Sequence, residues 1–261
     1  EIAKVEAIIR EEVNKDDLDM VVSNLGVTPD YSAIYTSNSA QHTATVQASL
    51  KEGHKGGSYE YMAKVRARLN KDMPQLSTFF QSGGLVDAVL NLGLPAPIDL
   101  QISGANQAGA LRVATGLAEQ IRGIPGVSDV YIPQDLDYPA LRLEVDRTRS
   151  SQLGLTQREV TSNIITSLVS NQMIAPSFWV DPKSGNDYLL TVQYPETQIR
   201  NLMDLRAIPL RSARGADSTR LDAVATVRRV EAPTEVDHYQ LRRVIDVFVG
   251  LSGEDLGKVA E

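Results

Sequence analysis

The sequence contains no cysteine, which excludes disulfides, thiolate metal sites and a cysteine nucleophile from the outset. Aromatic residues are scarce, with one Trp and four Phe in 261 residues, yet 42% of the chain is hydrophobic. That is enough for sizeable cores, and the length suits two or three domains better than one. No run approaches the roughly 20 apolar residues that cross a bilayer, and the first residues lack the basic-then-apolar order of a signal peptide. Positive charge is in the minority. A formal charge of -7 and a pI near 5.1 repel a phosphate backbone, so nucleic acid is not expected as a partner despite the pairs Arg228-Arg229 and Arg242-Arg243.

The signatures of common enzymes are missing too. There is no phosphate-cradling Gly-rich loop, no His-Glu-x-x-His and no Gly-x-Ser-x-Gly elbow. His42, His54 and His238 lie far apart, and none stands four residues from another possible ligand on a convincing helix. The acidic groups Asp16-Asp17-Asp19 and Asp135-Asp137 read as turn and helix-end residues. Asp181 to Asp187 has Lys183 where a calcium loop needs a ligand and no closing glutamate, so it reads as a hairpin tip. Met62 and Met73 could offer thioethers to Cu(I), but core packing beside a helical stripe accounts for them. Neither a catalytic residue, a resident metal nor a cofactor is expected.

What is present is helix and strand in tandem. Ile2, Val5, Ile9 and Val13 recur at helical spacing, and Asp19 to Ser23 follows as a strand. Tyr61, Val65 and Leu69 mark a second helix over about 59 to 73, ended at Asp72-Met73-Pro74, with Leu76 to Gln81 predicted as a strand. Leu111, Ala114, Leu117, Ala118 and Ile121 mark a third, followed by a strand over Ser128 to Ile132. Further strands are predicted at His42 to Lys51, Ile98 to Ser103 and Ala140 to Val145. The fold class is therefore α+β, built from split βαβ, ferredoxin-like subdomains.

From about 148 to 229 the pattern changes. Thr156 and Glu159 form a capping box for a helix carrying Val160, Ile164 and Leu168. Strands Ser177 to Val180 and Tyr188 to Tyr194 flank the tip Asp181 to Asn186, and Leu205 to Leu210 and Leu221 to Val227 read as extended segments around polar Ser212 to Thr219. This is an inserted α+β subdomain. Strand Val244 to Gly250 leads to Ser252 and a helix beginning at Glu254-Asp255-Leu256. Glu1 already stands inside a helical pattern, and that last helix stops after about two turns, so both ends read as cut.

Leu90-Asn91-Leu92-Gly93-Leu94-Pro95-Ala96-Pro97-Ile98-Asp99, with the following helix and Leu141 to Arg147, resembles the second periplasmic loop of RND (resistance, nodulation and division) efflux transporters. The similarity continues through Leu153 to Val160, Ala175 to Val180, Ala223 to Val227 and Gly253 to Gly257. The resemblance implies a first porter subdomain over 1–95 without its first strand, a second over 96–147 plus 230–261 without its end, and a docking subdomain inserted over 148–229. It implies the periplasmic portion of a bacterial inner-membrane protein, a homotrimer working with a periplasmic adaptor (membrane fusion) protein and an outer-membrane channel. Such pumps are proton-driven and export small amphiphilic compounds or metal ions, and the proton-carrying residues lie outside this chain.

Two sets of site residues are expected. The segment Thr28 to Ala40 is far longer than a hairpin link, and such length usually means function or disorder. Its position resembles the family's gating loop, which makes Tyr31 and Tyr35 substrate-path residues with amphipathic faces. The resemblance adds Phe80 and Gln81 at the entrance. If Leu76 to Gln81 is a strand, Phe79 and Phe80 face opposite ways, Phe79 inside and Phe80 towards the path. In the docking subdomain, Asp181, Lys183 and Asp187 are expected to project towards the adaptor and channel. The other classes weighed are a freestanding ligand-binding module, with its pocket between two α+β lobes, and an enzyme.

Overall fold

The computed structural model describes residues 1–26, 37–83, 89–91, 93–172, 174–212, 218–252 and 256–260. They divide into two compact units, the first from residues up to 136 together with 233 onward, the second from Asp137–Ala232.

The first unit opens with helix α1 (Ile2–Glu12), whose apolar stripe buries Val5, Ile8 and Ile9. Strands β1 (Leu18–Leu25) and β2 (Ala44–Leu50) form an antiparallel pair, and α2 (Ser58–Asp72) follows with Tyr61, Val65 and Leu69 buried at i, i+4, i+8. The two helices cover one face of the pair. Val5, Ile9, Val65 and Leu69 are buried together with Ile8, Val13, Tyr61 and Met73, with Val21 and Val46 packed beneath. Asp17 fastens the β1 entrance. Its carboxylate accepts from Tyr61 Oη at 2.6 Å and from the Gly56 and Lys55 amides, which together hold its pKa down to about 2.

The same unit contains a second core. Strands β3 (Ile98–Ser103) and β4 (Val127–Tyr131) flank β12 (Arg242–Leu251), each antiparallel to it and so parallel to one another; short β11 (Asp237–Tyr239) pairs with the start of β12. Helix α3 (Gln107–Ile121), capped by the Asn106 side chain on the Gly109 amide, connects β3 to β4. Ala110, Ala114 and Ala118 let it sit close on Ile245, Val247 and Val249. A strand thus lies between the two strands of a βαβ unit.

The second unit pairs β5 (Tyr138–Val145) with β10 (Ala225–Ala232). Its core gathers Leu155, Val160, Ile164, Ile208, Leu210, Leu221 and Val224 around α4 (Arg147–Gln152) and α5 (Gln157–Val169). Both halves of the α5 capping box form: the Thr156 hydroxyl accepts from the Glu159 amide, and the Glu159 carboxylate accepts from the Thr156 amide. The hairpin β6 (Ser177–Val180) and β7 (Asp187–Leu190), a short helix α6 (Leu202–Arg206), the pair β8 (Pro209–Arg211) and β9 (Ser218–Arg220), and α7 (Leu221–Val224) complete it. In the sequence expectation β5 belonged with the second porter subdomain; here it lies in the second unit.

Three predicted strands take other forms. Leu76 to Gln81 carries no strand pairing, because Phe79 and Phe80 are held by side-chain packing after the break at Pro74. Leu205 falls in α6, which Asn201 caps by accepting from the Met203 and Asp204 amides. Leu221 and Val224, three apart and both fully buried, belong to the helical turn α7, and extension resumes only at Ala225. Near the end, α8 (Leu256–Ala260) is present, while Glu254 and Asp255 lie outside the described residues.

Candidate functional site

Phe80 lies in the first unit, where its two cores meet. It is half-buried against the first core, and its ring covers the Arg66 guanidinium, 4.6 Å from the ring centroid. Arg66, on α2, donates from Nε and Nη2 to the two carboxylate oxygens of Asp129 on β4, at 2.8 and 2.7 Å. Phe79 turns the other way and stacks on Tyr131, 5.6 Å between centroids. The expected division is therefore corrected: neither ring is fully inside, and Phe80 is the one that joins the first core. Gln81 is exposed next to it. Tyr31 and Tyr35 lie outside the described residues.

Beside β12 runs a chain of polar groups, buried at Asp246 and Gln134 and exposed at Gln101, that the sequence reading did not single out. The Gln101 amide donates to Asp99 at 3.0 Å and to Asp246 at 3.2 Å. Gln134, 2% exposed, donates to Asp246 at 2.6 Å and Asp237 at 2.7 Å, and its oxygen accepts from the Asp246 amide. Carboxylate and amide alternate, so each amide proton pair links two acceptors. Oδ1 of Asp99 is buried with no hydrogen-bond partner. Burial, then the neighbouring Asp246 charge, raise the Asp99 pKa to about 6. Burial raises Asp246 as well, against the hydrogen bond from Gln134. Asn38 closes the edge, donating to the Pro133 carbonyl at 2.8 Å and to Asp135 at 3.0 Å, and Asp135 also meets His42 Nε2 at 2.7 Å. One signal for this network was legible: Asp246 is the single charged residue in the apolar run Val244 to Gly250. Arg66 and Asp129 left none, being ordinary members of a helix and a strand until folded together.

In the second unit, Asp181, Lys183 and Asp187 come together at the β6–β7 tip, all in exposed or partly exposed positions. Asp181 accepts from the Ser184 hydroxyl at 2.6 Å and from the Lys183 and Ser184 amides, and those bonds, the hydroxyl first, lower its pKa. It shapes the turn. Every residue of the two strands is exposed, including Phe178, Trp179, Val180, Tyr188 and Leu190. Of the polar stretch Ser212 to Thr219, residues 213–217 lie outside the described residues.

Among the described residues no three His, Asp or Glu side chains are grouped so as to hold a metal ion, and no helix is long and apolar enough to cross a membrane. The profile of the AcrB/AcrD/AcrF family matches residues 1–261. The chain belongs to that family. It is a region of an RND-type transporter. The chain is 22% identical over 222 residues to the cobalt-zinc-cadmium resistance protein CzcA of Cupriavidus metallidurans, covering 83% of this chain and 19% of that protein. The nickel and cobalt resistance protein CnrA of the same organism is 24% identical over 173 residues, 65% of this chain and 16% of its own. The chain therefore spans about a fifth of the length of the curated relatives it matches. A crystal structure of a heavy metal efflux pump superposes with a TM-score of 0.68 at 21% identity, over 99% of this chain and 26% of that one. The RND-type region shares its mixed α+β fold with that structure.

Proposed function

We propose that this RND region is the substrate-conducting and docking portion of a proton-driven efflux pump, on the periplasmic side of a bacterial inner membrane. The observation that carries the reading is the family match along the whole chain, joined to a structural likeness of the same extent. The two halves of the first unit serve as ferredoxin-like porter subdomains, and the part of the chain inserted over 148–229 supplies docking. The chain makes and breaks no covalent bonds in this role. Tyr31, Tyr35, Phe80 and Gln81 line the route of a small amphiphilic compound, with flat aromatic faces that accept varied apolar shapes. Asp181, Lys183 and Asp187, at the end of an exposed hairpin with apolar flanks, meet the adaptor and outer-membrane channel in a homotrimeric assembly.

Export by the parent transporter tests the route: Tyr31→Ala, Tyr35→Ala and Phe80→Ala lower export of amphiphiles at unchanged expression, and parental export by all three would sink it. Charge reversal at Asp181, Lys183 and Asp187 weakens crosslinking to the adaptor; undiminished crosslinking removes the docking assignment. A second reading, export of divalent metal ions, is favoured by the metal-resistance relatives. Deleting the parent transporter separates the two, since sensitivity to cobalt, zinc, cadmium or nickel alone selects the metal reading.

A further inference from the structure

We propose that Arg66, Asp129 and Phe80 form a latch between the two cores of the first unit, and that an apolar or cationic compound seated on the Phe80 ring releases it. The inference rests on the reading above, in which these two halves are porter subdomains that move against one another.

Arg66–Asp129 is, among the described ion pairs, the one with both side chains largely out of water, 20% and 5% exposed. The others leave at least one side chain 40% exposed or more, in the range where solvent and salt screen the attraction. The bidentate geometry fixes orientation as well as distance. Ser128 Oγ adds a contact to Asp129 at 3.3 Å, and Gly250 on β12 leaves the room: a Cβ there would stand 3.0 Å from Ser128 Oγ and 3.6 Å from Asp129.

A buried ion pair suits a latch better than a permanent joint. Removing one partner strands a buried charge, which is costly, whereas separating the two halves lets both charges hydrate again, so the released state is accessible. Phe80 supplies the trigger. Its ring face is occupied by the guanidinium, and the same face is the one a flat or cationic amphiphile would use. Such a compound displaces Arg66 from the ring and exposes the pair to water, where its attraction falls. The Phe79–Tyr131 stack and the Asn38–Asp135–His42 contacts hold the same junction without touching the Phe80 face.

The cysteine-free chain allows a direct measurement. Spin labels at Lys71→Cys on α2 and Glu119→Cys on α3, both exposed positions, report the separation of the two halves. The parent gives one dominant distance. Asp129→Asn and Arg66→Lys each raise a longer-distance population by roughly tenfold or more, with Gly250→Ala acting in the same direction from the other side of Asp129. Tetraphenylphosphonium shifts the parent to the longer distance and leaves Phe80→Leu unmoved. Unchanged distances in Asp129→Asn and Arg66→Lys, with circular dichroism showing both folded, overturn the latch whatever the pump exports. A shift of Phe80→Leu equal to the parent's overturns the trigger. Failure of the transport reading shows elsewhere, in export assays on the parent transporter.

Discussion

Strand β12 and the β6–β7 hairpin are built from similar residues and meet opposite fates. In β12, Val244, Ile245, Val247, Phe248 and Val249 are all at most 7% exposed, because β3 and β4 flank the strand and α3 covers one face while Pro133 and Gln134 are buried with it. In the hairpin, Phe178, Trp179, Val180 and Leu190 are each more than half exposed, and cross-strand pairing puts apolar residues on both faces. The difference teaches that apolarity on two faces states a demand for cover, and that topology decides where the cover comes from. For β12 it comes from this chain. A two-stranded ribbon with free edges is marginal alone, and under the docking reading proposed above its side chains would gain their cover from a partner.

That contrast can be broken in order of expected effect. Val247→Asp puts an unpaired charge under α3 and should cost at least about 4 kcal/mol, abolishing the cooperative urea transition of the first unit. Leu210→Ala, at a site 0% exposed, should cost about 3 kcal/mol in the second unit, seen as faster amide exchange around α5 and α7. The polar chain beside β12 brings a smaller, pH-dependent term. The folded state holds the Asp99 proton up to pH about 6 while the unfolded chain releases it near the ordinary 3.8, so stability falls as pH rises through that window and is level above it. Asp99→Asn should therefore gain on the parent at pH about 7.5 and show no such gain at pH about 4, by urea midpoints. An equal offset at both pH values would remove Asp99 as the cause. Trp179→Ser should change the stability of the isolated chain by under about 0.5 kcal/mol yet reduce crosslinking to the adaptor; a loss of several kcal/mol would mean that the hairpin is covered from within.

Periodic patterns made much of the architecture legible. Three helices, the strands β1 and β2, the hairpin and the capping box followed from spacing and turn residues, and the apolar stripes of the first two helices are buried in one core. The misreadings have a common cause. Leu76 to Gln81, Leu205 to Leu210 and Leu221 to Val227 are short apolar runs in which period 2 and period 3.6 fit equally well, and caps or packing partners distant in sequence decide between them. The junction was half legible: Phe80 and Gln81 were marked by resemblance, whereas Arg66 and Asp129, 63 residues apart, acquire meaning only in three dimensions.

The alternation of Asp and Gln beside β12 has a consequence for how the chain finds its fold. A strand apolar on both faces could slide by one residue against β3 with little hydrophobic penalty. Asp246 forbids it. A slip would turn that carboxylate into the alanine-lined space under α3, away from both Gln101 and Gln134, exchanging three hydrogen bonds for a buried bare charge. The polar residues behind the junction thus act as an alignment key, rejecting misthreaded sheets before the two halves can be latched together.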